Sequence, residues 1–193
     1  MSREITMRRL PVLLGLGLIL FAAATAAAAA LTAKISLGFT TQYTGTADLS
    51  TPTDAMNIAR AIEFTSGTGA NQADLVFHDS RTLADGANEV LDLYASGTLL
   101  TPLGTALTMT KLKALYVYNT SSDASLLIGG GTTPVGICAD ATDIVKLPPG
   151  GKLILSAPNA TGIVTSTNKN LKFEHDGTGS STLTYEVIII GID

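Results

Sequence analysis

The chain has 193 residues, of which 12 are basic and 16 acidic (formal net charge −4), with one cysteine and no tryptophan. So few Lys and Arg residues on an acidic chain argue against nucleic acid as a partner, because phosphates need clustered positive charge. A single cysteine excludes an intramolecular disulfide framework, and the length suits one domain with a sizeable core rather than two.

Met1–Leu10 carries Arg3, Arg8 and Arg9, and the run Leu10–Leu31 that follows has no charged residue. A cationic head, a Leu-rich middle from Leu13 to Phe21 and a small-residue end at Ala22–Ala30 form the pattern of a secretory signal peptide cut near Ala30. About 20 apolar residues also suffice to span a bilayer, so a retained membrane helix and a helix packed inside an assembly stand beside cleavage. Residues 1–31 are therefore set apart as a signal peptide or retained hydrophobic helix, and 32–193 as a single β-domain. Without the head, nine basic and fifteen acidic residues remain. The two closest basic pairs, Lys111/Lys113 and Lys169/Lys172, read as solvated strand edges.

Past Thr32, short β-branched, aromatic and Leu-rich runs alternate with Gly, Pro, Asn, Asp and Ser clusters. Lys34–Tyr43 alternates with period two, placing Ile35, Leu37 and Phe39 on one face, and predicts a half-buried strand. After the Thr51–Asp54 turn, Met56–Phe64 sets Met56, Ile58, Ile62 and Phe64 on one parity, with Arg60 intruding. Ser66–Gln72 is a loop and Asp74–Thr82 a candidate strand, while Asn88–Leu93 fits a strand or a short helix. Leu112–Asn119 is a strand by its aromatic and β-branched content. Ser125–Ile128 follows, and Gly129–Gly131 breaks the chain. Asp143–Leu147 and Lys152–Ala157 flank the rigid turn Pro148–Gly151. Gly162–Ser166, Asn170–Glu174 and Thr182–Ile190 complete the series. The last is apolar on both faces at Val187–Ile190 and so belongs in the middle of a sheet. About ten short strands at this spacing predict an all-β fold, a β-sandwich of jelly-roll or immunoglobulin-like topology, preceded by the N-terminal hydrophobic helix.

Residue types that carry chemistry are few. His78-Asp79-Ser80 has the three members of a hydrolase triad, but neighbours on a strand face opposite ways and cannot form that geometry among themselves. Two isolated histidines, His78 and His175, make a poor zinc set. Gly67–Gly69 and Gly129–Gly131 lack the Lys-Ser/Thr and the helix of a phosphate loop. Asp140 and Asp143 offer two carboxylates without the spacing of a calcium loop. Cys138, in the apolar stretch Val135–Ala139, reads as a small buried hydrophobe. Asn119-Thr-Ser121 and Asn159-Ala-Thr161 are glycosylation sequons whose simplest reading is turn residues. No catalytic, cofactor-binding or metal residue is expected, and no cofactor.

Three groups of segments resemble small virion proteins of tailed bacteriophages. The first is Gly67–Asp74 with His78–Ala84 and Asn88–Leu93; the second is Lys111–Thr120 followed by Leu127–Gly131. The third is Leu147–Gly151, Leu153–Pro158 and Leu183–Gly191. The resemblance spans roughly Ile35 to Gly191 and rests on order and spacing, since each segment alone is generic for β-proteins. It implies a β-sandwich that decorates capsids or forms fibres, with no activity or cofactor. Met1–Leu31 departs from that pattern as an added leader.

These readings lead to the expectation of a non-enzymatic structural protein that self-assembles or decorates a repeated surface. Its partners would be copies of itself or a capsid or surface lattice, with membrane contact through Leu10–Leu31 and no nucleic acid. Its place would be a virion or the cell exterior. The alternative is an exported adhesin or carbohydrate-binding module, for which Tyr43, Tyr94, Tyr116, Tyr118 and Tyr185 would stand in for tryptophan.

Overall fold

The computed structural model of the chain describes residues 30–95, 97, 99–138, 140–179 and 182–193. The expected N-terminal helix or signal peptide lies, up to residue 29, outside the described residues. Among the described residues no helix is long and apolar enough to cross a membrane, and the regular structure is all β.

Eleven strands follow in order: β1 (Ala33–Thr44), β2 (Thr53–Phe64), β3 (Leu75–Ala84), β4 (Asn88–Asp92), β5 (Lys111–Asn119), β6 (Leu126–Gly129), β7 (Ile144–Leu147), β8 (Lys152–Ser156), β9 (Ile163–Val164), β10 (Asn170–His175) and β11 (Thr182–Ile192). Asn88–Asp92, open between strand and helix in the sequence, is a strand. Two antiparallel sheets carry the order β4-β10-β6-β7 and β3-β11-β5-β8, with β9 also pairing with β5. A separate two-stranded ribbon joins β1 to β2. Strand β11 lies between β3 and β5, the central place that its two apolar faces predict.

The two sheets share one core. Alternation turns Leu171 and Phe173 of β10 inward, together with Leu183, Tyr185, Val187 and Ile189 of β11. The Phe173 and Tyr185 rings stack across the gap with centroids 4.6 Å apart. Each such side chain removed from water stabilises the fold by roughly 1.5–3 kcal/mol. Gly129–Gly131 end β6 with three successive positive φ angles (108°, 73° and 92°), a path open to glycine and strained for other residues.

The base of the ribbon packs on the outer face of the larger sheet. Phe64, Ala73, Ala114 and Ile190 form a second small core there, with Leu31, Ala33, Ile35, Ile62 and Val76 against it. Beyond that base the expectation of a half-buried first strand is corrected. The β1–β2 ladder runs on without a break from Ile35↔Ile62 to Thr44↔Thr53, yet Leu37 and Phe39 are more than half exposed. Nothing among the described residues covers the outer ribbon, which stands as an arm.

Candidate functional site

Because side chains alternate along a strand, the register of the arm sorts its two faces. One face carries Ile35/Ile62, Leu37/Arg60, Phe39/Ile58, Thr41/Met56 and Tyr43/Asp54 as cross-strand pairs. The other carries Ser36/Ala61, Gly38/Ala59, Thr40/Asn57 and Gln42/Ala55, with the exposed ion pair Lys34–Glu63 at its root (2.8 Å). The arm is thus amphipathic, and its apolar strip continues the face that packs on the sheet at Ile35 and Ile62. At about 3.4 Å per residue, the seven residues Leu37–Tyr43 carry the strip roughly 24 Å outward.

The sheet below has a matching open area. Its outer face is built of cross-strand rows, and the row Val76–Ile190–Ala114–Ser156 lies beneath the arm's base. The next row, His78–Ile188–Tyr116–Ile154, is open, with Ile188 and Ile154 among the exposed large apolar residues. Then come Ser80, Glu186, Tyr118 and Lys152, and the Lys152 ammonium sits 3.8 Å from the centroid of the Tyr118 ring. Burial first, and then the nearby Glu186 carboxylate, push the Tyr116 phenol up from its ordinary pKa. Between arm root and sheet lies an apolar groove of about 280 Å³, lined by Ile35, Leu115, Tyr116, Ile154, Ile188 and Ile190 among others.

The outer face of the smaller sheet is different in kind. Its charges are matched in pairs: Lys172–Glu174 (2.5 Å), Lys146–Asp176 (2.9 Å) and, at its edge, Lys169–Asp92 (2.8 Å).

The polar residues singled out in the sequence do not converge. His78 and Ser80 lie on the outer face in the middle of β3, and Asp79 takes the opposite parity. Asp79 instead accepts from the Arg81 guanidinium (2.7 Å). His175 is buried, and its Nδ1 accepts from the Gly177 N–H at 3.0 Å. The nearest carboxylate oxygen, of Asp85, lies 3.7 Å away. Asp140 and Asp143 spend their oxygens on a local turn: Asp140 accepts from the Thr142 N–H and hydroxyl (2.9 Å each), and Asp143 from the Asp140 N–H (2.9 Å). Cys138 is half-buried rather than buried, because the Gly-rich loop that carries it is only partly covered. Burial, helped by Asp143, raises its thiol pKa and so makes it less nucleophilic.

Two sequence readings are corrected outright. Lys113 is no solvated edge but fully buried. The β5–β11 register shifts at Ile190/Gly191, which leaves Lys113 as the extra residue of a bulge. Its ammonium donates to the Gly69 carbonyl (3.1 Å) and the Asn159 carbonyl, and burial lowers its pKa, with Lys111 adding to the effect. Asn119 is likewise more than a turn residue. Its buried side-chain N–H group donates to the carbonyls of Ala124, Leu147 and Pro148 (2.8–3.1 Å), which closes this sequon to a glycan in the folded chain. Asn159 is exposed.

One cluster escaped the sequence reading. Glu89 of β4 accepts from the Tyr185 hydroxyl (2.8 Å) and from Arg81 Nε (2.6 Å), tying the two sheets at their β3–β4 edge. Burial, then the Glu89 contact, raises the Tyr185 pKa, and the bond to Glu89 raises that of Arg81. Its members are 96 residues apart for Tyr185 and Glu89, and no local pattern announces them. Each charged member already has a partner within the cluster, with Arg81 shared by Asp79 and Glu89, and the cluster works as a clamp.

No family model matches the chain, and no curated protein matches it.

Proposed function

We propose that this chain is a non-enzymatic structural subunit that self-assembles or decorates a repeated surface, as a virion decoration or fibre protein or an extracellular filament subunit. The observation that carries the reading is the arm: a long ribbon with one apolar face, left uncovered past its first buried pair. Exposed apolar patches of this kind mark interaction sites, and many weak repeated contacts add up through multivalency. The topology is in keeping with it. Consecutive strands occupy corresponding places in the two sheets (β3 and β4, β10 and β11, β5 and β6, β7 and β8), an arrangement that favours a jelly roll over an immunoglobulin-like sandwich. Leu10–Leu31, if retained, adds membrane contact or a packing helix.

Intact mass and negative-stain imaging of the native protein test this reading. Rings, filaments or shells are expected. A monodisperse monomer at every concentration, recovered away from any capsid or surface lattice, would sink it. The adhesin alternative draws support from Tyr116 and Tyr118, half-exposed on the open sheet face. Against it, Lys152 already covers one side of the Tyr118 ring. Binding on a glycan array is the result that would favour it.

A further inference from the structure

We propose that the arm of one copy lies across the open outer face of the larger sheet of a second copy, in a reciprocal exchange; the inference rests on the self-association just proposed. The arm's strip centres on Leu37, Phe39 and Ile58, and the sheet's open row on Ile188, Tyr116 and Ile154. Within one chain the same strip already packs on the same sheet, through Ile35 and Ile62 against Ala114 and Ile190. The exchange repeats that chemistry one row further along.

Charge picks out the match. Arg60 stands in the middle of the strip and its guanidinium donates only to the Ala59 carbonyl among the described residues (2.9 Å). Glu186 stands in the sheet row next to Ile188, on the same face. Neither forms an ion pair among the described residues; nor do Asp54 at the strip's outer end and Lys152 at the far end of the Glu186 row. But Arg60 is the charge set among the apolar residues of the strip, and Glu186 the one directly beside Ile188. An unpaired cation within one apolar patch and an unpaired anion within the other are complementary, and such pairs set partner and register.

Area supports reciprocity. A ribbon strip about 24 Å long and about 10 Å wide covers on the order of 240 Å² on each side of one contact. A single contact therefore falls short of a specific interface, whereas two related by a twofold axis reach about 1,000 Å² in total. Twofold symmetry supplies both contacts from one pair of surfaces.

The test uses the full chain with Cys138→Ser as background. Phe39→Cys is placed in one preparation and Ile188→Cys in another, and the two are mixed and oxidised, so that any mixed disulfide is intermolecular. Sedimentation velocity follows wild type, Arg60→Glu, Glu186→Arg and the double reversal. The expected results are a mixed disulfide joining the Phe39→Cys chain to the Ile188→Cys chain, about 10-fold weaker association for each single reversal, and recovery in the double variant. A disulfide between two Phe39→Cys chains alone would mean that arms pack on arms, and would overturn the exchange. Association unchanged by either reversal, or not recovered by both together, would overturn it as well and leave self-assembly standing. A wild-type chain that stays monomeric throughout would instead remove the self-association on which the exchange rests.

Discussion

The sandwich and the arm are written in the same alternating code and end up in opposite environments. In β10 and β11 every second side chain meets a facing sheet, and Phe173 and Tyr185 are fully buried. In β1 and β2 the alternation is as regular and the ladder longer, yet only the pairs nearest the base find a surface. Period two states which face of a strand is apolar; it does not state what covers that face. Within one chain the cover is a second sheet, whereas for the arm it must come from another molecule or be absent. The comparison also separates two kinds of surface: burial in the sandwich holds the fold, whereas the arm's apolar strip stays exposed and, on the proposal above, is what association would bury.

The largest effect that tests this division is a cavity in the sandwich. Phe173→Ala removes a stacked, fully buried ring and is expected to cost about 3–5 kcal/mol in chemical denaturation. Phe39→Ala, the same chemical change on the arm, should alter the stability of the dissociated chain by no more than about 0.5 kcal/mol. Comparable losses at both positions would break the comparison, for they would mean that the arm folds onto its own core. Next in size comes Asn119→Ala. It strips a donor from three carbonyls that join the ends of β5 and β7 to their turns, with an expected cost of about 2–3 kcal/mol.

Much of the sandwich was legible in the sequence because its signals are local. The doubly apolar run of β11, the Pro-Pro-Gly-Gly turn and the glycine break after β6 all announce themselves within a few residues. What stayed hidden depends on partners far along the chain. Lys113 reads as a surface lysine, since nothing nearby reveals the bulge that turns it toward the carbonyls of Gly69 and Asn159. Glu89 holds Tyr185 from the opposite sheet, and only the assembled edge brings them together. At the candidate site the apolar parity of Leu37, Phe39 and Ile58 was visible from the start. The exposure of Leu37 and Phe39 was not, because exposure is the absence of a neighbour and no run of residues encodes that.

A smaller effect should separate the two regions by pH. Asp176 lies on the sandwich, where burial alone would raise its pKa. The Thr178 hydroxyl (2.7 Å), the Lys146 ammonium (2.9 Å) and the N–H groups of Thr178 and Ser125 outweigh burial and hold the carboxyl well below its ordinary value. A depressed acid contributes its stability in full above the unfolded pKa, near 4, and loses it as pH falls further, because the unfolded chain then takes up the proton first. Asp176→Asn should cost about 1 kcal/mol at neutral pH, with the gap to wild type closing below about pH 4 in urea titrations. Asp54, at the arm's outer end, forms no ion pair among the described residues, so Asp54→Asn should leave the neutral-pH stability of the dissociated chain within about 0.5 kcal/mol of wild type.

The smallest expected effect is the most exacting for the comparison. The arm's tip, between Thr44 and Thr53, is held by backbone bonds from Gly45 to Pro52 and from Ala47 to Ser50 (2.9 Å each), and Leu49 is almost fully exposed. Exposed loop tips of this kind are where proteases cut first. Limited chymotrypsin treatment should nick the chain near Leu49 while the sandwich stays whole. The cut breaks no contact with the facing sheets, so the thermal midpoint of the sandwich should stay within about 1 °C of the intact chain. Association, by contrast, should weaken, because a nicked ribbon loses the turn that holds its two strands in register. A fall of several degrees in the midpoint would show that the arm carries part of the fold's stability. Its exposed strip would then belong to the architecture of one chain, and its capacity to join two would have to be argued from elsewhere.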